Sequence, residues 1–301
     1  MTSLSSELLA NWQVRKSKKQ KTAFIELIQS HIPEASIEQK GSTRNIIIGD
    51  VDSAKVVYTA HYDTCAVMPL PNFITPKNIF IYIVYQLILT ALLLLPGLLA
   101  AWLVDSLTDN FLLVYWVALI LIWATIMLMM AGPANRHTAN DNTSGVITLI
   151  ETYFAMDETQ RAKCAFVFFD KEEVGLVGSS LFLKMHKEAM KEKLLVNFDC
   201  VSDGDNILFV LRKKAHAAFA ENIENAFLPR GEKQIMLEKS SRCFYPSDQQ
   251  HFPCGVGVAA LKKAPVLGYY MDRIHTPRDT VFDESNIELL RDGAVRLAER
   301  L

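Results

Sequence analysis

Residues 166–179 read "FVFFDKEEVGLVGS", an apolar run that passes directly into two adjacent glutamates, Glu172 and Glu173, and then into two glycines. A run of aromatic and β-branched residues of this length predicts a buried strand. Taken alone, the two glutamates are equally typical of a solvated turn at the end of that strand. Because adjacent side chains diverge, the pair can also do two jobs, one carboxylate binding a metal ion while its neighbour holds a water molecule.

Strands and helices alternate along most of the chain, which predicts an α/β layer fold. Two segments have apolar residues at helical spacing, 144–156 and 285–301. The candidate strands are 45–49, 55–61, 164–170, 194–199 and 266–270.

Polar side chains gather just past the ends of these candidate strands, or directly before a helix. In open α/β sheets, ligands bind at the carboxyl ends of the strands. Nitrogen and oxygen ligands without thiolate favour zinc, with manganese or cobalt as substitutes. The sequence therefore predicts a metal site formed from His61, Asp63, Asp141, Glu172, Glu173, Asp199 and His275.

The segment "HYDT" (61–64) adds a second element of metal chemistry. His61 and Asp63 project to the same side of an extended chain. The Asp63 carboxylate can then accept the second N–H of the imidazole and hold the ring toward a metal. Alone, this pattern more often marks a structural histidine, so it counts only in combination with the other residues.

Six segments occur in the order found in the dizinc aminopeptidase family, and the chain outside its most apolar region resembles that family. Its members include bacterial leucyl aminopeptidases, glutamate carboxypeptidases and glutaminyl cyclases. The resemblance implies a zinc-exopeptidase fold, with a mixed, mostly parallel sheet flanked by helices, and a substrate peptide with a free N-terminus. The segments are "TAHYDT" (59–64), "ANDNTSGV" (139–146), "FFDKEEVGLVGS" (168–179), "VNFDC" (196–200), "PSDQQHF" (246–252) and "RIHTPRDT" (273–280).

The resemblance also implies two Zn²⁺ ions per chain and a ligand set for each. His61 and Asp199 are expected to hold one ion. Glu173 and His275 are expected to hold the other, and Asp141 to bridge the two. All five positions keep the residue type that the family uses.

The resemblance further implies roles for residues that are not metal ligands. Glu172 is expected to act as general base and then general acid, and Asp63 to orient His61. Tyr245 lies near the position of an oxyanion-stabilising tyrosine in some members, although its offset from the following motif differs. Gln249 stands where the family commonly has histidine, which leaves open whether His251 substitutes.

Two uncharged runs, 78–104 and 111–135, interrupt the α/β pattern and are joined by "DSLTDN". Each run exceeds the roughly 20 residues needed to cross a bilayer. Aromatic residues near the joining loop are typical of the membrane interface. We therefore expect a transmembrane helical hairpin over residues 77–132, inserted between the two parts of a peptidase domain, 1–76 and 133–301. The alternative of two buried core helices does not suit a domain of this size.

Basic residues predict the orientation of this hairpin. Lys77 and Arg136 flank its domain end, whereas its loop has two aspartates and neither lysine nor arginine. Residues 15–21 add a basic stretch on the domain side, and the N-terminus lacks the apolar core of a signal peptide. The sequence thus predicts a two-pass integral membrane protein whose catalytic domain faces the cytosol. Short connectors should hold the metal site near the bilayer surface.

Composition narrows the range of partners. A formal net charge of −2 and a pI near 6.4 argue against a nucleic-acid partner. The five cysteines have no paired spacing, which favours a reducing compartment. The lipid bilayer and a peptide are the expected partners, and a homo-oligomer is left open.

Two other functions compete with a membrane-anchored aminopeptidase. A glutaminyl-cyclase-like aminoacyltransferase would use one zinc ion and transfer an amide. A non-catalytic membrane scaffold on the same fold would be expected to lose metal ligands, whereas this chain keeps them. The sequence does not specify the preferred N-terminal residue, and it leaves dipeptidase or carboxypeptidase action open.

Overall fold

Helices and strands alternate through residues 1–68 and 70–301, the part of the chain that the computed structural model describes. The helices are α1 (Ser3–Asn11), α2 (Lys18–His31), α3 (Ile79–Asp105), α4 (Phe111–Ala131), α5 (Gly145–Ala155), α6 (Glu158–Arg161), α7 (Val177–Met185), α8 (Lys213–Ala226) and α9 (Glu284–Arg300). The strands are β1 (Ser36–Lys40), β2 (Thr43–Ile48), β3 (Val56–His61), β4 (Cys164–Phe169), β5 (Leu194–Phe198), β6 (Asn206–Leu211), β7 (Gln234–Lys239), β8 (Gly255–Ala264) and β9 (Gly268–Tyr270).

The strands form one mixed sheet in the order β1-β2-β4-β3-β5-β8-β6-β7, with β9 paired to the end of β8. The four central strands, β4, β3, β5 and β8, are parallel. Antiparallel pairs join this centre to β2 on one side and to β6 on the other. The expected α/β fold, with a mixed, mostly parallel sheet flanked by helices, is confirmed.

Helices cover both faces of the sheet, so its central strands are hydrophobic on both faces, as buried parallel strands usually are. Every residue of β3, β4 and β5 is buried. On one face, the main core contains residues of α1, α2, α5, α8 and α9. On the other face, Phe182 of α7 and Phe252 pack against Phe169. This burial fixes where each strand ends, and hence where the polar residues that follow it lie.

The strand expected at 266–270 is confirmed only for Gly268–Tyr270, and a longer strand next to the site was not predicted. The sheet position beside β5 belongs to that strand, β8, Gly255–Ala264. The strand that begins at Gly268 has only three residues and pairs antiparallel with the end of β8. β8 was missed because its first residues are small. At Gly257 a Cβ atom would lie 2.6 Å from the Gln249 side chain, so a larger residue does not fit there.

The two positions in the stretch 166–179 that are occupied by glycine require it for different reasons. Gly175 has a φ of 107°, a backbone conformation that side chains with a Cβ rarely adopt. At Gly178, a Cβ would lie 2.2 Å from the carbonyl oxygen of Asp170. Both glycines therefore serve the sharp return of the chain from β4 into α7, which leaves Glu172 and Glu173 at the edge of the sheet.

The helices α3 and α4 form an antiparallel hairpin outside the α/β domain, within the predicted insertion 77–132. Both are long and apolar enough to cross a membrane, and none of the described residues of α4 is buried. The hairpin's two connectors pair with each other, since Ala66 forms a β-bridge with Ala134 and Asn135 N donates to Cys65 O. At Gly97, a Cβ atom would lie 2.6 Å from Ile122 of α4, so glycine permits a close approach of the helices.

Candidate metal centre

The carboxyl ends of the central strands bring the predicted ligands together. His61 is the last residue of β3, Asp199 follows β5, and Glu173 follows β4 by a short turn. Asp141 lies in the turn Ala139–Ser144 that leads into α5, and His275 lies in the loop after β9. All five line one cavity of about 200 Å³.

The first cluster is formed by His61 and two carboxylates. His61 Nε2 lies 3.4 Å from Asp141 Oδ1 and 3.4 Å from Asp199 Oδ1. Ligand atoms of these three residues all lie within 4.8 Å of one another, and all three residues are buried. Both distances are longer than the 2.7–3.2 Å typical of an N–H···O hydrogen bond. The three groups therefore converge without satisfying one another.

The second cluster is formed by His275. Its Nε2 lies 3.1 Å from Asp141 Oδ2 and 3.3 Å from Glu173 Oε2. Asp141 thus stands between the two histidines, with one carboxylate oxygen facing each of them.

These distances are suited to zinc coordination. Tetrahedral ligands at zinc bond lengths of about 2.0–2.2 Å lie roughly 3.3–3.6 Å from one another. The separations from 3.1 to 3.4 Å in the two clusters are close to that length. In addition, Glu173 Oε1 is buried and has no hydrogen-bond partner among residues 1–68 and 70–301. A buried carboxylate oxygen without a donor is expected where a cation is to bind.

Asp63 lies beside His61. We expected its carboxylate to accept an N–H group of the imidazole, but the two groups are not in hydrogen-bonding contact. His61 Nδ1 pairs with the backbone carbonyl of Asp63 at 3.0 Å, whereas the nearest carboxylate oxygen is 3.8 Å away. The carboxylate instead accepts the backbone N–H groups of Glu172 at 2.9 Å and of Glu173 at 3.3 Å. Asp63 therefore holds the turn that carries the glutamate pair, and its main chain orients the histidine.

Comparison with known proteins identifies the family. The profile described as "Peptidase family M28" matches residues 124–297, more than half of the chain. The chain belongs to peptidase family M28. The match includes Asp141, Glu172 and the ligands that follow them, while His61 and Asp63 lie before it. No curated protein matches the chain.

Solved structures share the M28 fold at low sequence identity. The LapA aminopeptidase of Legionella pneumophila has a TM-score of 0.55 and 13% identity, over 99% of this chain and 68% of that one. The glutaminyl cyclase of Porphyromonas gingivalis has a TM-score of 0.60 and 14% identity, over 99% of this chain and 97% of that one. At such identities the likeness shows the fold alone.

Tyr245 lies at the M28 site of this chain, but its hydroxyl already donates a hydrogen bond within the protein. Its hydroxyl lies at the cavity wall and donates to the backbone carbonyl of Asp199 at 2.9 Å. Donation to a substrate oxyanion would require that hydrogen bond to break. Gln249 is structural, because its amide donates to Tyr245 O at 2.8 Å. His251 is not among the described residues that line the cavity.

Three residues near the M28 site were not assigned a role from the sequence. Asp279 accepts the backbone N–H groups of Asn140 and Asp141 at 2.9 and 3.0 Å, just as Asp63 does for the glutamates. The fully buried Arg15 donates to Tyr62 O and to Thr143 Oγ1 behind the carboxylates. Asp279 stands in the quoted motif 273–280, whereas nothing distinguishes Arg15 within its basic stretch.

Cys65 is the third of them. Its thiol lies within 4.8 Å of ligand atoms of Glu173 and His275. Burial raises the pKa of this thiol well above its usual range, and the nearby carboxylates raise it further. The residues that follow the HYDT segment offered no signal for this position.

Backbone strain is concentrated at the M28 site. Among residues 1–68 and 70–301, five residues other than glycine have a φ between 57° and 69°, which is costly for a residue with a Cβ. Of these, Lys171 precedes Glu172, Cys200 follows Asp199, and His275 is itself one of the predicted ligands. Such strain persists where the surroundings hold it and is typical of functional sites.

The buried charges shift one another's pKa values. Burial alone would lower the pKa of His275, but the carboxylates of Glu173 and Asp141 outweigh it and raise that pKa to about 9. Burial would raise the pKa of Asp141, but the two histidines outweigh it and lower that pKa. Burial raises the pKa of Glu173 to about 8 and that of Glu172 well above its usual range. Such an excess of buried carboxylate favours a bound cation.

Proposed function

We propose that this protein is a membrane-anchored, zinc-dependent aminopeptidase that removes N-terminal residues from peptides and uses two Zn²⁺ ions per chain. The observation that carries the proposal is the Asp141 carboxylate between His61 and His275, with one oxygen directed at each imidazole. A carboxylate so placed is suited to bridge two ions. His61 and Asp199 would complete one site, and Glu173 and His275 the other.

Zinc bound there would supply a Lewis acid for the scissile carbonyl and lower the pKa of water. Glu172 would accept the proton of the attacking water on a carboxylate oxygen and deliver it to the departing amine. Its raised pKa supports this role, because burial and the neighbouring carboxylates of Glu173 and Asp199 make this carboxylate a stronger base. Asp63 would hold the Glu172 backbone so that the carboxylate faces the cavity.

The cavity favours an exopeptidase that takes the amino end of its substrate. Its volume of about 200 Å³ is below the roughly 300–1,000 Å³ of sites for larger ligands. It therefore suits a single terminal residue. The described residues that line it include neither lysine nor arginine to pair with a substrate carboxylate, whereas carboxylates suited to a free ammonium group are abundant.

The hairpin of α3 and α4 would anchor the enzyme. Large apolar side chains along both helices are exposed, including Trp102 and Phe111. In the most apolar 18-residue stretch of each helix, only 11% of the residues are buried in α3 and 0% in α4. This exposure argues against core helices, and both segments lie far from the N-terminus. Lys77 and Arg136 at the domain end support a cytosolic catalytic domain.

Two substitutions and a metal measurement test the proposal. Glu172→Gln should retain both ions and lose about 10²- to 10⁴-fold in kcat, the usual contribution of a general acid–base group. Glu173→Gln should lose activity together with one ion. Near-normal turnover of Glu172→Gln, or loss of metal from that variant while Glu173→Gln keeps it, would contradict the assignment. One ion per chain and cyclisation of an N-terminal glutamine would support a glutaminyl-cyclase-like enzyme instead.

A further inference from the structure

The end of α3 nearest the domain extends beyond α4. α3 has 27 residues and α4 has 21. At 1.5 Å per residue these lengths are about 40 and 31 Å, against about 30 Å of hydrocarbon. Gly97 faces Ala118 and Ile122 of α4, so the end of α4 is level with about residue 86 of α3. Residues 79–85, here called the hairpin foot, therefore extend past the membrane-spanning part toward the domain.

Two tyrosines of the hairpin foot contact two separate loops. The ring of Tyr82 packs against Phe244, with centroids 5.1 Å apart. The ring of Tyr85 packs against Phe73 at 5.1 Å, and its hydroxyl donates to the Pro71 carbonyl at 2.6 Å. The tyrosines are three residues apart and so lie on the same face of the helix.

Both loops are walls of the cavity that holds the candidate metal centre. Asn72 and Ile74, on either side of Phe73, line the cavity on one side. Tyr245 and Pro246, which follow Phe244, line it on another side. The hairpin foot thus contacts Phe73, which lies between Asn72 and Ile74, and Phe244, which precedes Tyr245 and Pro246.

Backbone hydrogen bonds connect these walls to one another and to the ligand loop. Ile74 N donates to Met271 O at 3.1 Å, and Met271 N donates back to Ile74 O at 3.0 Å. Phe244 N donates to Pro76 O at 2.9 Å. A change in the position of the foot would be transmitted through these bonds to both walls, a short distance from His275.

We propose that Tyr82 and Tyr85 are positioning residues for substrate selection: by fixing the walls 72–74 and 244–246, the hairpin foot sets the preference for the N-terminal side chain. Beside the single polar side chain of Asn72, the walls present Ile74, Pro246 and the ring of Tyr245, and Ile274 joins them, so the favoured N-terminal residue is apolar. This inference rests on the proposed aminopeptidase activity. It makes the membrane hairpin a structural part of the substrate site rather than an anchor alone.

The test compares Tyr82→Ala and Tyr85→Ala with Phe80→Ala in the full-length protein in lipid nanodiscs. Phe80 belongs to the same helical turns but is 73% exposed, so it is the matched control. The measurements are kcat and KM for glycyl, alanyl, leucyl and phenylalanyl amides, metal content, and hydrogen–deuterium exchange of residues 70–78 and 240–246.

The tyrosine variants should keep their metal and show faster exchange in both walls. Loss of one aromatic contact should reduce the preference for leucyl over glycyl amide about threefold to tenfold, mainly through KM. Phe80→Ala should match the parent. Unchanged exchange, unchanged preference, or an equal effect of Phe80→Ala would overturn the inference. A parent that hydrolyses none of the amides would instead refute the proposed function, while the exchange data would still show whether the foot holds the walls.

Discussion

Asp63→Asn separates two ways in which Asp63 can serve the site. Its carboxylate accepts two backbone N–H groups, from Glu172 at 2.9 Å and Glu173 at 3.3 Å. Asparagine offers one acceptor oxygen and one amino group, so one of the two N–H groups would face a donor. A hydrogen bond to an ionised group contributes about 1.5–3 kcal/mol. At about 1.4 kcal/mol per tenfold change in rate, loss of one such bond predicts a fall of about 10- to 150-fold in kcat/KM.

The assay is hydrolysis of leucyl amide, with the metal content of the same preparation measured by mass spectrometry. His61 should keep its orientation, because its partner is the backbone carbonyl of Asp63, which the substitution leaves in place. Activity should therefore fall while both ions remain. Asp50→Asn makes the same chemical change at an exposed turn and is the control. Loss of an ion would show that the Asp63 carboxylate is needed to position a ligand, either His61 or Glu173, and full activity would refute a role of this carboxylate in the site.

Three further predictions concern stability and topology. Lys21→Met removes the amino group that lies 2.6 Å from the fully buried Asp170 carboxylate, so it should lower the free energy of unfolding by about 3–5 kcal/mol. A loss below about 1 kcal/mol in denaturant titrations would contradict this expectation. The double variant Lys21→Met/Asp170→Leu should recover part of the lost stability. A cysteine introduced at Thr108 should react with an impermeant reagent in intact cells and one at Ser36 should not; the reverse pattern would refute the orientation. Burial would raise the pKa of Asp283, but Lys233 and Ser285 outweigh it and lower that pKa. The ionised Asp283 therefore stabilises the fold at pH values above its pKa in the unfolded chain, and this stabilisation is lost as the pH falls through its pKa in the folded protein. Asp283→Asn, which keeps a helix-capping side chain, should therefore lower Tm more at pH 7 than at pH 3, and an equal effect at both would exclude a charge contribution.

The sequence was most informative where a residue's role depends on its place at a strand end. His61, Glu173 and Asp199 each follow a strongly apolar strand, so their convergence could be predicted before the sheet order was known. β8 could not be predicted in the same way, because its first residues are small, and the close approach of Gln249 to Gly255 and Gly257 is a property of the folded chain. The partners of the Asp63 carboxylate could not be predicted either, because they are backbone N–H groups more than a hundred residues further along the chain.

Arg15 illustrates a second limit. It belongs to a basic stretch that reads as a solvated or membrane-facing segment, yet its guanidinium is fully buried and hydrogen-bonded behind the site. A buried cation near several carboxylates is a property of the folded charge distribution, and local sequence does not record it. The hairpin of α3 and α4 shows the opposite case, since its length and composition alone indicate that it is suited to cross a membrane.

The position of the hairpin between His61 and Asp141 has a consequence for biosynthesis. The ribosome completes the strand that ends in His61, then the two apolar helices, and only afterwards the other four proposed ligands. At about 5–20 residues per second, the roughly 80 residues between His61 and Asp141 take several seconds to synthesise. During that interval the nascent chain holds a single ligand, and the bridge between Ala66 and Ala134 can form only when the hairpin has folded back on itself. With the membrane anchoring proposed above, the hairpin would reach the bilayer before the peptidase domain could assemble, so that unfinished chains would have no proteolytic activity.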